Sequence, residues 1–585
     1  MKKIIFFDNK KQALAYAEDE SILITDNVND GIALKRQGFN VRFPEDFFSL
    51  TDIQAIDKEC LEFTKFIIKA KEENVFLEYV VTPYFIRVFK IFSAMDNLFE
   101  KEKSEEIFAI GSGRFIQIVS EYLKQRGRSF HRIKPNFLEK IFYQLKELGR
   151  ESQIKWINTE VRIFILEPFW IVALFCMAKL RIVGRGNFFH RGKTKNLLVF
   201  AGDRFSLPIY QELKNNKDWE FILAGKTYPG RKLLMKEKII WLEEYAGWKD
   251  IAVFFQRLFG YRRDWRDFQN KFSGKFLYKS INFWELCRGN LRMHFLTTLP
   301  LMGLVHDSAL NIFPGRKAVV FMSNDVTDYN RALCLAAKES RVKSLNMQHG
   351  ILIEPNVHSS LTADRLAGWG QATVDWYQRE GNDSSRVVIT GSPRFDCITG
   401  ITKSGRRGKK IVLVATNFYT GFSSEDTYLL NFEMIYAVLE AVRGNDDIEI
   451  KIKIHPGESL SFYKDFLKAH PDIEISRSNF YELLAVCDVF VSIYSTTVLE
   501  AVIFKKPIIF FRNPYNRRAF ELKGGIAREA ENAVQMREAI KELINNPRDK
   551  KKIEAGQQEF LDYHVCVDGR CTERVINLLK KLANS

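Results

Sequence analysis

IEIKIKIHPGES (residues 448–459) and VFVSIYSTTVLEAVIFKKPIIFF (residues 489–511) decide the fold. In the first, isoleucine alternates with charge as far as Ile454, and Pro456 then stops the strand because it has no N–H to give a ladder. Gly457 permits a tight turn, which leaves His455 at the C-terminal edge of a sheet. The second is a β-branched and aromatic run that passes through Tyr494-Ser495-Thr496-Thr497 directly into the helical pattern VLEAVIFK. Strands feeding straight into helices are the unit of α/β layers. Ser and Thr at a helix start cap free N–H groups, and the same end of a helix attracts anions. Ser495, Thr496 and Thr497 beside His455-Pro456 therefore suit a nucleotide phosphate, and Glu500, one turn into the helix, suits two ribose hydroxyls. Each feature alone is an ordinary cap or turn. Their occurrence at neighbouring strand ends of one sheet points to a site.

Outward from this core, short β-branched runs alternate with amphipathic stretches along the whole chain. The length, 585 residues, suggests three or four compact units of about 150 residues. Residues 1–150 read as an N-terminal α/β domain opening with KIIFF, and residues 151–192 as a helical connector. Residues 193–390 read as a Rossmann-like domain and 391–585 as a second one. The connector carries Ile163–Ala178, an apolar stretch broken by Glu167 and Pro168, too short to cross a bilayer. Residues 250–313 interrupt the first Rossmann-like domain. Within them, 256–295 hold nine basic residues against three acidic ones, with Phe259, Tyr261, Trp265, Phe268, Phe272, Phe276, Tyr278, Phe283 and Trp284 interleaved. Basic and aromatic residues at helical spacing suit a membrane surface. A helical hairpin with its rings in the core meets the same pattern.

The formal net charge is +16, which favours anionic partners. The eight cysteines are scattered with no CxxC, so neither a disulfide framework nor a zinc ribbon is expected. Only four apolar residues follow Lys2 and Lys3 before Asp8, which is a strand and not an export signal. A cytoplasmic protein, with a candidate contact at the inner face of the membrane through 256–295, is the expectation. GxxxxGK[ST] is missing, and GSGR (Gly111–Arg114) lacks the continuation of a dinucleotide fingerprint.

Residues 348–350 (QHG), Asp364, Trp369-Gly370 and Thr390–Asp396 (TGSPRFD) add to HPGES and YSTTVLEAVIFKKPIIFF. Together they resemble the GT-B glycosyltransferases of bacterial surface polysaccharide synthesis. The likeness is to capsule Kdo transferases, bacterial sialyltransferases and CDP-glycerol glycerophosphotransferases, and it covers about 195–585. It implies a GT-B-like pair of Rossmann-type domains behind the additional N-terminal α/β domain. It further implies that His455, Pro456 and Ser495–Thr497 hold the donor phosphates and that Glu500 contacts the ribose. The resemblance also implies that His349 faces the cleft as general base or leaving-group contact, a role for which histidine is a common choice. Gln348, Gly350, Ser392, Arg394 and Asp325 are further candidate cleft contacts, Arg394 as added charge on the leaving group. Asp325 and Asp328 in SNDVTD read either as a metal site or, better, as a helix cap. The resemblance implies no bound metal and no cofactor beyond the nucleotide-sugar substrate.

The leading expectation is a transferase moving a sugar from a nucleotide-activated donor to a glycan or lipid-linked glycan acceptor. The alternatives are a CDP-glycerol-type glycerophosphotransferase, a non-hydrolysing UDP-sugar 2-epimerase on the same fold, and, from another class, a nucleic-acid or membrane-binding scaffold. The charges are spread over three blocks and leave the polar strand ends unexplained, so no nucleic-acid partner is expected.

Overall fold

The computed structural model describes residues 2–64, 77–134, 196–224, 240–352, 361–398, 408–417, 427–512 and 525–585, less scattered single positions among them. The connector expected at 151–192, with its apolar stretch, lies outside the described residues. Three wholly parallel sheets carry the architecture. The first comprises β1 (Lys3–Phe7), β2 (Ile22–Ile24), β3 (Val41–Arg42), β4 (Glu106–Ile110) and β5 (His131–Ile133), in the order β3-β2-β1-β4-β5.

The second sheet contains β6 (Asn196–Ala201), β7 (Trp219–Leu223) and β8 (Ile240–Trp241). After a small hairpin, β9 (Leu277–Tyr278) and β10 (Ile281–Asn282), it resumes with β11 (Ala318–Met322), β12 (Lys343–Met347), β13 (Arg365–Gly368) and β14 (Val387–Ile389). Its order is β14-β13-β12-β11-β6-β7-β8. The third contains β15 (Lys410–Ala415), β16 (Ile448–Lys453), β17 (Glu474–Ile475), β18 (Val489–Ser492), β19 (Ile508–Phe511) and β20 (Arg528–Ala530), in the order β17-β16-β15-β18-β19-β20. The central strands are buried along their length, as KIVLVA and AVVFM show, because helices cover both faces of a parallel sheet. In the last two sheets the order reverses between β6 and β11 and between β15 and β18. Those reversals open crevices beyond the carboxyl ends of the strands.

Two Rossmann-type sheets in succession are the GT-B-like pair expected from the sequence. They are tied where the chain crosses back. Cys566 N donates to Trp369 O at 2.8 Å, and Asp396 accepts from Cys571 N and Thr572 N to cap the last helix, Cys571–Ala583. That helix returns to the second sheet, burying Val575, Ile576 and Leu579 against Leu198, Phe200 and Val319. Gly391 sits here at φ +71°, and a Cβ on it would lie 2.5 Å from Cys566 O, so only glycine fits.

The 250–313 insertion corrects one expectation. Trp265, Phe268, Phe272, Phe276, Tyr278, Phe283 and Trp284 are all buried and are not available to a membrane. They form the joint between the N-terminal unit and the second sheet. Phe89 of the helix Leu77–Lys101 stacks on Tyr278 at 3.7 Å, and Phe85 meets Phe276 and Phe283 edge-on. Tyr278 and Ser93 share a buried hydroxyl pair at 2.8 Å. Aromatic rings bury large areas each, so a sequence this rich in Phe at one joint makes the N-terminal unit part of the body of the molecule. In the first sheet the GSGR turn is engaged by the chain itself: the Asp8 carboxylate accepts from Gly113 N at the start of the helix Arg114–Gln125. The chain's own anion fills that position.

On the outer side of the second sheet, His306 links three helices. Its Nδ1 meets Asp307 at 3.2 Å and its Nε2 meets Glu339 at 2.9 Å, while Arg257 holds Asp307 with two bonds. The hydrogen bond to Asp307, with Glu339 adding charge, raises the His306 pKa from its ordinary 6.5. A raised folded value means that the stability from this pair is complete below the unfolded pKa and is lost as pH rises through the folded one. Warming at pH 6 and at pH 8 is therefore expected to give a lower Tm at the higher pH. The cluster is partly solvated, so its share is under about 1 kcal/mol. His306→Gln removes that share; an unchanged difference in Tm between the two pH values would assign the dependence elsewhere.

Candidate functional site

The facing edges of the second and third sheets meet at two turns. On one side β12 ends at Met347, and Gln348 turns the chain. Its Oε1 accepts from Trp369 N and Thr373 Oγ1, its Nε2 donates to Gly350 O, and its carbonyl accepts from Trp369 Nε1. With every group engaged, Gln348 is a brace for the turn and does not reach into the cleft. The brace presents His349, whose side chain is 52% exposed. On the other side Ser495–Thr497 lead into the helix Thr497–Ile503. A Cβ placed on Gly350 would lie 3.6 Å from Thr496 Oγ1, so QHG and STT, from different sheets, line the same gap.

His349 has a partner that the sequence reading passed over. Its Nδ1 lies 2.8 Å from Asp203 Oδ2, and Asp203 ends the turn after β6. Asp203 Oδ1 accepts from Phe205 N and Ser206 N, which fixes the carboxylate. A carboxylate accepts only, so the imidazole carries its proton on Nδ1 and offers the Nε2 lone pair. The available signal was an acid at the end of a strand that borders the sheet's reversal.

His455 follows β16, while Ser495–Thr497 follow β18, and β15 lies between the two strands. The two turns thus share one edge but are not neighbours; two strand spacings put them about 10 Å apart. The His455 turn is fixed by Glu458, a second residue whose role the sequence did not reveal. Glu458 Oε2 accepts from Thr416 Oγ1 and His455 N, and Oε1 accepts from Asn431 Nδ2 and Tyr463 OH. Thr416 Oγ1 also accepts from His455 N at 2.9 Å. Burial outweighs these four donors and raises the Glu458 pKa above its ordinary value. Pro456 is exposed beside this turn.

The anion seat is built differently from the expectation. The helix after it has only seven residues, and the N–H groups of Thr497, Val498 and Leu499 already bond to Ser495 Oγ, Ser495 O and Thr496 O. What this turn can offer a ligand is the hydroxyls of Ser495 and Thr496, since Thr497 Oγ1 is buried, without a partner among the described residues. Glu500 is 4% exposed. Tyr481 OH donates to it at 3.1 Å and Arg394 Nη1 lies 4.0 Å away, so it braces the cleft floor. Arg394 is buried against the rings of Phe205, Trp369 and Phe395. It therefore joins the two Rossmann-type units at the base of the gap. Ser392 is buried next to it, its hydroxyl without a partner among the described residues.

Asp325 is neither a cleft contact nor a helix cap. It is buried, Oδ1 taking Asn346 Nδ2 and Oδ2 taking Thr362 N and Ala363 N. The cap of the helix Asp328–Glu339 is Thr327. Among the described residues, no group of three or more His, Cys, Asp and Glu side chains is placed to hold a metal ion, and no helix is long and apolar enough to cross a membrane.

Residues 265–523 match the model of the LIC12162 family transferases, a span that takes in QHG, HPGE and STT. The teichoic acid poly(ribitol-phosphate) polymerase of Bacillus spizizenii is 26% identical over 232 residues, which are 34% of this chain and 34% of the relative. The match thus spans about a third of that curated relative's length. Among solved structures, Staphylococcus aureus MnaA with UDP is 15% identical, covering 67% of this chain and 97% of that one at a TM-score of 0.42. The wall teichoic acid polymerase TagF is 13% identical, covering 72% and 98% at 0.39. UDP-GlcNAc 2-epimerase from Neisseria meningitidis is 12% identical, covering 66% and 100% at 0.41. The strand order of the two Rossmann-type sheets defines the architecture as GT-B-like, and residues 265–523, which span the gap, are similar to a family of transferases.

Proposed function

We propose that the protein transfers a sugar from a nucleotide-activated donor to a cell-surface polymer or its lipid-linked precursor. The observation that carries the reading is the apposition of His349, oriented by Asp203, with the Ser495–Thr497 turn across the gap. In this reading an acceptor hydroxyl gives its proton to His349 Nε2 as its oxygen attacks the donor's anomeric carbon. The bond from that carbon to the phosphate oxygen breaks, and the departing phosphate is met by the hydroxyls of Ser495 and Thr496 and by His455. Groups fixed in advance are effective here because they need no reorganisation as charge develops. In this proposal the step is written with residues of the chain alone.

The polymerase match favours a second reading on the same residues, transfer of a polyol phosphate from a CDP-linked donor. The attack then falls on phosphorus, and CMP leaves. Product analysis separates the two. The purified protein is first warmed with CMP, CDP, UDP, GDP and TDP, since a nucleotide that binds the native state raises Tm by mass action. The nucleotide giving the largest rise selects the donor to incubate with acceptor. Release of nucleoside diphosphate from an NDP-sugar supports sugar transfer, and release of CMP from CDP-glycerol or CDP-ribitol supports the polyol reading. Epimerisation with donor alone, or no nucleotide effect on Tm at all, would overturn both.

A further inference from the structure

The helix Trp248–Phe272 turns one face inward and another to solvent. Ile251, Phe254, Leu258, Trp265, Phe268 and Phe272 are buried, and Arg257 points to Asp307. About 110° round the helix from them, Trp248 is 71% exposed, Phe255 37% and Phe259 64%. At about 100° per residue these three fall on one stripe. The same stripe continues through Arg262, Arg263 and Arg266, with Arg262 lying over the Phe259 ring at 5.2 Å. Asp250 and Asp264 fall on the far side of the helix, and Asp267 falls about 100° from Arg266. The exposed face is therefore aromatic in its first half, cationic in its second, and free of acid along its centre.

We infer that this stripe docks the protein onto an anionic lipid bilayer, the helix lying flat in the headgroup layer. A protein of this composition gains nothing by holding three large rings in water, and scattered exposure would be ordinary whereas an aligned row is not. Rings on one face enter the boundary between headgroups and acyl chains, and arginines beside them meet lipid phosphates. The charge complementarity commits the occupant: a row with arginine and no acid fits a continuous anionic surface. At 25 residues the helix is roughly 37 Å long, enough for rings and arginines to touch the surface together. The inference differs from the sequence expectation, which offered all the rings of 256–295; only the outward row qualifies, and it begins earlier, at Trp248. It rests on this helix alone and is independent of the chemistry assigned to the gap.

The full chain is sedimented with vesicles of phosphatidylcholine alone and of phosphatidylcholine with phosphatidylglycerol in equal parts. Co-sedimentation with the mixed vesicles only is expected, weakening as salt is raised. Arg263→Glu with Arg266→Glu, and separately Trp248→Ser with Phe255→Ser and Phe259→Ser, are each expected to lower binding by about tenfold or more. All five positions are on the surface, so both variants should keep the parental Tm and its rise with nucleotide; this readout reports the gap separately from the stripe. Equal binding by parent and variants overturns the inference, as does parental binding to both kinds of vesicle alike. A change in oligomeric state in the variants, without any change in vesicle binding, makes the row a face between copies of the chain and overturns it too.

Discussion

His349→Ala is expected to lower turnover by about 10²–10⁴-fold with little change in donor KM. On the proposed mechanism the substitution removes the proton acceptor at the mouth of the gap and leaves the residues proposed to hold the donor in place. A more diagnostic variant is Asp203→Asn. Oδ1 of Asp203 accepts from Phe205 N and Ser206 N, so an asparagine must keep its oxygen on that side. Its amide nitrogen then faces His349 Nδ1 and donates to it. The imidazole is driven to carry its proton on Nε2, where it can no longer accept one from the incoming hydroxyl. Asp203→Asn should therefore lose about 10–10³-fold in kcat although it is isosteric and folds normally. Steady-state kinetics of both variants beside their Tm values make the check. Near-parental kcat in both would place the proton transfer on another group.

The sequence disclosed the fold well because parallel sheets write themselves as unbroken apolar runs. KIVLVA, VFVS and AVVFM each became a central strand. Strand ends were equally plain: Pro456 and the STT turn both mark sheet edges, and QHG and STT came together from far apart in the chain. What sequence could not disclose was how far each polar residue is already engaged. Gln348, Asp325 and Glu500 look like cleft residues by position, yet each is held by backbone or side-chain partners that lie remote in sequence. Asp203 and Glu458 look unremarkable by position, and only three-dimensional pairing makes them supports for His349 and His455. The aromatic insertion shows the same limit. Periodicity marked its helix correctly, but the neighbour that covers its rings comes from residues 85–93, which no local pattern could supply. Order along a strand is local information, whereas hydrogen-bond partnership is not.

Glu458→Ala should cost about 3–5 kcal/mol of stability and a fall in Tm of roughly 10 °C. The carboxylate gathers Thr416, Asn431, Tyr463 and the His455 backbone inside the third sheet's edge. Removing it strands donors that water cannot readily reach, and such groups cost more than the bonds themselves earned. Glu458→Gln tests the geometry more finely. Asn431 is locked by Asn417, donating to its O and accepting from its N, so it cannot rotate to present an acceptor to a glutamine amide. His455 N is equally fixed as a donor. Whichever way the new amide turns, one N–H faces another, and a loss of about 1–2 kcal/mol is expected where isosteric exchange alone predicts little. The effect also has a pH signature. Burial raises the folded pKa of Glu458, so the folded chain retains this proton to higher pH than the unfolded one. Its contribution to stability is greatest below the unfolded value and declines as pH rises through the folded value. Glu458→Gln should remove that decline and, by freeing the His455 turn, also shrink the rise in Tm with nucleotide. A Gln variant with parental stability and an undiminished nucleotide response would show that the His455 turn holds its shape without this carboxylate.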